Sequence, residues 1–564
     1  MTKTCKQCNT KFEITDGDLG FYKKISPTFD GKTFEIPAPT LCPQCRYQRR
    51  ISWRNERNLY KRKCDATGKE IISIFSPDKK SPPVYSAEAW WSDSWNAKDF
   101  GRDFDFSRPF FEQFHELFKV VPQLTLNNQK SENSEYTNQS QMNKNCYMMI
   151  CGSYNEGCMY GMWYQNCKDS IDCQYLEKSE LCYEVLNAKN CYSCKWSQTI
   201  EDCTDCYFCA SCIDCKNCFG CVSLHNKEYY FYNEKLSRDE YFQRLGSLDL
   251  GKRSSIEKTK KEFVDFRAKM PQKFYRGKQN ENSTGDYLVG NKNARNCFNA
   301  RDNENINDSQ DAWRARNCCD LTETLENDFC MELEGCGWGT NQVLCSKIVE
   351  TSNVYYSSHI YYSSDIFGCV GLRNSKYCIL NKQYSKEEYE KLAGKIIEHM
   401  QETGEWGEWF PIKYSPFGYN ESVAMDYFPL NKEGAAELGA KWQDNNFDIE
   451  YSGPFYEPHD NIEEYAKSEE EVEKLLDGIL KCETSGRPFK IVPQELSFYI
   501  QNKIPIPTRN FHTRFTERFA LRNPRILWHR KCMNEGCENE FETTYAPDRP
   551  EKVYCEGCYQ KSII

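Results

Sequence analysis

Cysteine recurs in this chain with a period that neither an α-helix nor an ordinary strand can use. Between Asn145 and Leu224 lie fifteen cysteines, and all but Cys151 fall on positions that leave a remainder of two when divided by three. A second group, Cys297, Cys318, Cys330, Cys336, Cys345, Cys369 and Cys378, falls on multiples of three, with Cys319 the one exception. A helix turns every 3.6 residues and a strand alternates every 2.0, so neither holds a period-three residue on one face. Polyproline II does, but its runs are rich in proline or glycine, and these are not. The remaining solution is a β-solenoid, in which short arcs and tight corners return one small side chain to the interior. Cysteine suits that interior as a compact, weakly polar hydrophobe. Asn145, Asn166, Asp172, Asn190, Asp202, Asp205, Asp214 and Asn217 each precede a phased cysteine, and Asn and Asp tolerate the left-handed backbone of a corner.

The solenoid carries an internal echo. FGCVSLHNKEYYFYNEKLSRDEY from Phe219 matches FGCVGLRNSKYCILNKQYSKEEY from Phe367 at an offset of 148, and EYTNQSQMNKNCY matches DYLVGNKNARNCF at 151. The offsets differ by one triplet, the indel that preserves phase. Ser237 with Glu240 and Ser385 with Glu388 predict a capping box on a helix closing each copy. The end coils of such a stack need covers.

The two ends echo each other as well. Cys5-x2-Cys8 with Cys42-x2-Cys45, and Cys532-x4-Cys537 with Cys555-x2-Cys558, have the spacing of tetrahedral Zn²⁺ knuckles. NERNLYKRKC, ending at Cys64, matches NPRILWHRKC, ending at Cys532, at an offset of 468. Each end retains the half-site that the other has lost. The N-terminal copy reads Ser86 and Ala89 in its second half; the C-terminal copy reads Cys482, Ser485, Asn510 and Thr513 in its first. Two Zn²⁺ ions are therefore expected, one per end, with Cys64 and Cys482 as relics.

Beside each knuckle runs a basic stripe. Arg46, Arg50, Arg54, Arg57 and Arg62 correspond at the same offset to Arg514, Arg518, Arg522, Arg525 and Arg530. A basic helix next to a zinc ribbon commonly grips phosphate, with an aromatic such as Trp53 or Trp528 stacking on a base. The competing reading is a solvated face neutralised by the chain's own carboxylates, whose excess gives a formal charge of −10.

These features divide the chain as follows. A zinc-ribbon module spans 1–98 and an aromatic helical cap 99–126, the latter expected over the first coil. A first solenoid with its closing helix spans 127–250, a helical linker 251–280 and a second solenoid with its closing helix 281–395. A Trp/Pro-rich connector with an acidic helix spans 396–480, and the second zinc-ribbon module 481–564. In the cap, Phe110, Phe111, Phe114 and Phe118 form an apolar stripe at helical spacing after Ser107 and Pro109. The fold class is mainly β with accessory helices.

Catalytic signatures are missing from the sequence: it has no phosphate-cradling G-x-x-x-x-G-K-[ST], dinucleotide fingerprint, H-E-x-x-H or G-x-S-x-G. No enzymatic activity is assigned, and no catalytic residue. The opening MTKTCKQC has no apolar core of a secretory signal, and no run reaches membrane-span length. With 33 cysteines, a reducing cytoplasm is expected, favouring thiols or metal ligands over disulfides. The C-x2-C steps from Cys203 to Cys221 leave two rivals to interior packing, a metal cluster and a disulfide ladder.

LCPQCRYQRR, RKCDATGKEIISIFSPD, the NCY repeats, NKQYSKEEY, SPFGYNE, FPLNKE and YAPDRPEKVYCEGCY together resemble a family of cysteine-rich proteins of candidate-phylum bacteria. That resemblance covers the whole chain and implies the zinc-ribbon and solenoid architecture, but no activity. The functional expectation is a zinc-stabilised cytoplasmic protein contacting RNA or the ribosome through its basic ends. The alternatives are a protein-interaction scaffold and a redox or metal-storage protein.

Overall fold

The computed structural model of the chain describes residues 1–445 and 451–563. Its centre is a β-solenoid of twelve-residue coils: Met162 pairs with Gln174 and Gln174 with Leu186, all parallel. Twelve residues are four triplets, and each triplet turns one corner. Within one coil the corner residues Asn190, Ser193, Trp196 and Thr199 have φ of 50°, 53°, 51° and 53°. All eight Asn and Asp residues singled out before cysteines adopt this left-handed backbone. So do Trp163, Leu181 and Phe208, for which the conformation costs roughly 1–2 kcal/mol each. The stacked ladder holds them there.

The residue after each corner points inward. Cys203, Cys206, Cys209, Cys212, Cys215, Cys218 and Cys221 are all 0% exposed. Their thiols donate to carbonyls of their own and the next coil, as from Cys203 to Glu201 O (3.2 Å) and Cys212 O (3.5 Å). Ser197 makes the same pair of bonds from an inward site. No disulfide joins the cysteines among the described residues. The two phase exceptions, Cys151 and Cys319, point outward.

The coils form two stacks, 128–231 and 277–379. Each ends in a short antiparallel hairpin and a helix bearing the expected capping box, Arg238–Ser247 and Lys386–Glu402. The stacks lie side by side and run in opposite directions. Trp163 meets Trp313 (4.7 Å between rings), Glu177 pairs with Arg301 (3.0 Å), and Glu201 with Lys278 (3.6 Å). Numbers rise in one stack as they fall in the other.

Two local expectations are corrected. The aromatic helix Phe110–Val120 does not cover the first coil; it packs on the last coils of the second stack, with Phe110 against Tyr356 (5.4 Å) and Phe367 (5.7 Å). Its apolar stripe finds a larger aromatic surface there. Its N-terminal amides are capped by Glu405, not Ser107: the carboxylate accepts from Phe110 N and Phe111 N, both at 2.8 Å. The basic helix runs only from Pro43 to Ile51, so Arg54 and Arg57 lie beyond it.

Candidate metal centres and arginine-anchored interfaces

At the N-terminus, Cys5 and Cys8 sit in the loop of the hairpin formed by Thr2–Thr4 and Lys11–Glu13, while Cys42 and Cys45 open the helix Pro43–Ile51. The four sulfurs lie within 4.8 Å of one another. At the C-terminus Cys532 and Cys537 sit in the loop between Trp528–Lys531 and Glu540–Thr543, and Cys555 and Cys558 open the helix Glu556–Ser562. They form a second such group. Both four-cysteine groups could hold a metal ion. In each group one sulfur is the favoured thiolate: the Cys45 thiol brings Cys42 down to about 7 and is itself pushed up by that bond, while Asn539 Nδ2, 3.4 Å from its sulfur, brings Cys555 down to about 6 and burial pushes Cys558 up to about 12.

The residues at the positions offset from the four-cysteine groups are joined by protein hydrogen bonds. Cys482 Sγ meets Thr513 Oγ1 at 3.4 Å, and Asn510 Nδ2 donates to Ser485 Oγ at 3.3 Å. At the other end Ser86 N donates to Cys64 Sγ (3.3 Å) and Ser86 Oγ accepts from Ala89 N (3.2 Å). Neither set retains four ligand atoms.

The basic stripes face inward. Arg46 reaches Asp308 (3.3 Å) and Asp320 (2.8 Å); Arg50 reaches Asp320 (3.1 Å) and Glu332 (3.6 Å); Arg54 pairs with Glu56, Glu323 and Glu334. Arg57 pairs with Asp426, while Arg62 pairs with Asp65. At the C-terminus Arg514 reaches Asp172 (2.8 Å) and Glu495 (3.2 Å), Arg518 reaches Asp172 (2.9 Å), and Arg525 reaches Asp311 (2.7 Å). Arg522 lies over the Tyr175 and Tyr287 rings, at 3.9 and 4.4 Å, and Arg530 donates to Ala546 O. Burial opposes charge on Arg46 and Arg514, but the adjoining carboxylates outweigh it and hold both pKa values well above the ordinary range. Eight of the ten guanidiniums already have carboxylates of this chain, and Arg522 and Arg530 lie instead on tyrosine rings and a backbone carbonyl. Trp53 is likewise buried, packed on Phe410 at 5.2 Å.

The docking is crossed. The helix Pro43–Ile51 docks on the second stack and the helix Phe511–Phe519 on the first, while residues beyond each helix reach the other stack, Arg54 at Cys151 and Arg525 at Asp311. At the offsets of 468 and 148, Arg46 and Arg50 on Asp320 correspond to Arg514 and Arg518 on Asp172. Arg54 on Glu323 corresponds to Arg522 on Tyr175, and Arg46 on Asp308 to Arg514 over Tyr160.

Two further ligand-like groups went unrecognised in the sequence: Glu56, Cys151 and Glu323, and Asp308, Cys319 and Asp320. Their signal was present, because each contains one of the two out-of-phase cysteines. Each group surrounds a guanidinium, Arg54 in the first and Arg46 in the second, so a protein cation already fills the position. Inside the coils, no group of three or more ligand atoms within 4.8 Å occurs among the described residues. Burial pushes Cys167 and Cys173 up to about 12 and Cys378 to about 11.

No family model and no curated protein matches this chain. No helix among the described residues is long and apolar enough to cross a membrane.

Proposed function

We propose that the chain is a zinc-clamped interaction scaffold working in a reducing cytoplasm, built by duplication of a unit comprising one ribbon module and one solenoid. The observation that carries this reading is the inward orientation of both arginine stripes. A helix that spends its guanidiniums on buried carboxylates is a clip, and it lacks the free cations that phosphate binding requires. This favours the scaffold over the RNA- or ribosome-binding reading. Zinc fits the two four-cysteine groups: Cys8 and Cys42 sulfurs are 3.7 Å apart and Cys537 and Cys555 sulfurs 3.8 Å, against about 3.8 Å for a tetrahedron with 2.3 Å Zn–S bonds. When bound, the ion would fix each module's two knuckles, and the module would present its arginines to the opposite stack. Duplication is supported by the paired contacts above and by interior Asn ladders at the same offset, Asn155 on Asn143 (3.0 Å) and Asn303 on Asn291 (2.8 Å). The stacks then supply rigid outer walls, on which Tyr154, Trp338 and Tyr362 are 52%, 44% and 50% exposed.

The test is metal analysis, absorbance and affinity capture on the purified full chain. Two zinc ions per chain, a colourless product, a protein-like 260/280 ratio and partners that survive nuclease are expected. Nucleic acid that co-purifies with the folded chain would overturn the scaffold reading. Metal far above two per chain would restore a storage role for the interior thiols.

A further inference from the structure

The crossed docking makes two equivalent grooves, and the chain fills only one of them. In the N-terminal groove the segment Glu405–Phe410 lies between the loop IPAPT (36–40), the basic helix and the second stack. Trp406 Nε1 donates to Glu35 O (2.9 Å), Gly407 N to Tyr356 Oη (2.7 Å), and Thr40 Oγ1 to Glu408 (2.7 Å). Arg49 pairs with the same Glu408 at 2.8 Å, and Phe410 covers Trp53.

The C-terminal groove has the same walls. IPIPT (504–508) replaces IPAPT at the 468 offset, and Phe208 replaces Tyr356 at 148. At the 148 offset, 405–410 falls on 257–262, which lies in the helix Arg253–Arg267 and not in an extended segment seated between the walls. A cavity of about 280 Å³ remains, lined by Trp196, Phe208, Pro505, Arg518 and Leu521, with helix Arg253–Arg267 along one side. That volume lies just below the roughly 300–1,000 Å³ of drug-sized ligand pockets, and suits one bulky side chain.

Two residues differ between the grooves. Leu521, at the position of Trp53, is 48% exposed where Trp53 is 3%. Arg518, at the position of Arg50, is 5% exposed and lines the cavity, yet its Nε and Nη1 have no hydrogen-bond acceptor. Arg50 donates from Nε to Thr322 and from Nη1 to Asp320, both in the second stack, with Nη2 left without an acceptor; in the first stack Gln174 stands at the Thr322 position. A buried donor without an acceptor costs about 1–3 kcal/mol.

We propose that this groove takes an aromatic peptide segment of a partner protein, docked as 405–410 docks in the other half. This rests on the scaffold reading and specifies its ligand. The occupant sets a Trp or Phe side chain in the cavity under Leu521, and its backbone carbonyls accept from Arg518. One wall differs in charge: Arg49, which meets Glu408, is replaced by Glu517, which shares Arg509 (3.1 Å) with Glu483 and is 45% exposed at its side chain. The occupant therefore carries a basic residue where the chain's own segment carries Glu408.

The test uses the full-length protein and two fluorescein-labelled peptides, Trp-Gly-Lys-Trp-Phe-Pro and its Trp-Gly-Glu-Trp-Phe-Pro counterpart, read by anisotropy. The lysine peptide is expected to bind at least fivefold tighter. Leu521→Glu and Val264→Glu, both at exposed rim positions (48% and 61%) and so harmless to folding, are each expected to weaken it at least tenfold. Failure of the lysine peptide to bind at millimolar concentration, or binding indifferent to both rim variants, would overturn the proposal. Sedimentation that shows a dimer abolished by those variants would instead seat a second copy in the groove and overturn the peptide assignment. Nuclease-resistant partners still captured from cells while both peptides fail would sink the groove alone and leave the scaffold standing.

Discussion

Replacing Asp172 or Asp320 by Asn separates a clip from a phosphate-binding surface. Both carboxylates are 0% exposed and each takes two guanidiniums. Breaking one partner out of a buried ion pair costs about 3–5 kcal/mol, because the remaining charge stays buried. Asp320→Asn belongs at the lower end, near 3 kcal/mol, since Arg46 keeps Asp308 at 3.3 Å and Arg50 keeps Glu332 at 3.6 Å. Asp172→Asn belongs near 5 kcal/mol, because Asp172 is the only carboxylate within ion-pair distance of Arg518 among the described residues. Hydrogen exchange reads these losses locally. At about 1.4 kcal/mol per tenfold, amides of the helix Pro43–Ile51 should exchange about a hundredfold faster in Asp320→Asn. Amides of Phe511–Phe519 should gain more than a thousandfold in Asp172→Asn, up to the limit of global unfolding. The crossing supplies an internal control, since a change in the first stack should loosen the C-terminal helix and leave the N-terminal one alone. If both variants stay within about 0.5 kcal/mol, as at a solvated surface, the clip interpretation is wrong.

Cys42→Ser and Cys555→Ser should each reduce bound metal from two ions to one by elemental analysis, and speed proteolysis only at their own end, with the circular-dichroism signal of the coils unchanged. Thr199→Asn should raise stability by roughly 1 kcal/mol in urea titration, because β-branched Thr199 holds φ 53° at a half-buried corner where Asn is at ease. His115 stacks on Tyr414 at 4.4 Å, and burial, aided by Lys441, pushes its pKa down to about 4. Its unfolded value is about 6.5, so the unfolded chain binds the extra proton first, and stability should fall as pH drops from about 6.5 towards 4. His115→Gln should flatten that part of the pH–stability curve.

Much of the architecture was legible because the cysteine phase reports a backbone constraint directly. A corner every third residue leaves only one inward direction, and Asn or Asp before cysteine marks the left-handed turn. The same rule made Cys151 and Cys319 readable as outward residues, although what they meet was not. That depends on Arg54 and Arg46, each more than ninety positions away from its cysteine. The aromatic helix was recognisable as core, but its host was not, because an apolar stripe carries no address. Glu405 caps that helix from far downstream, a contact invisible to any local window.

The arginine stripes show why a basic pattern is ambiguous when read alone. Guanidiniums need a planar anion, and a phosphate and a carboxylate answer equally well. In a chain of net charge −10 the nearest anions are its own. A pairing that conserves Arg46–Asp320 and Arg514–Asp172 across both halves could be sought in the sequence by asking which acids share the solenoid's offset as the arginines share the modules'. Asp172 and Asp320 do, at 148. Two sequence offsets that must be matched crosswise are a stronger constraint than either alone. They turn the question of what each basic helix binds into one of which stack it faces.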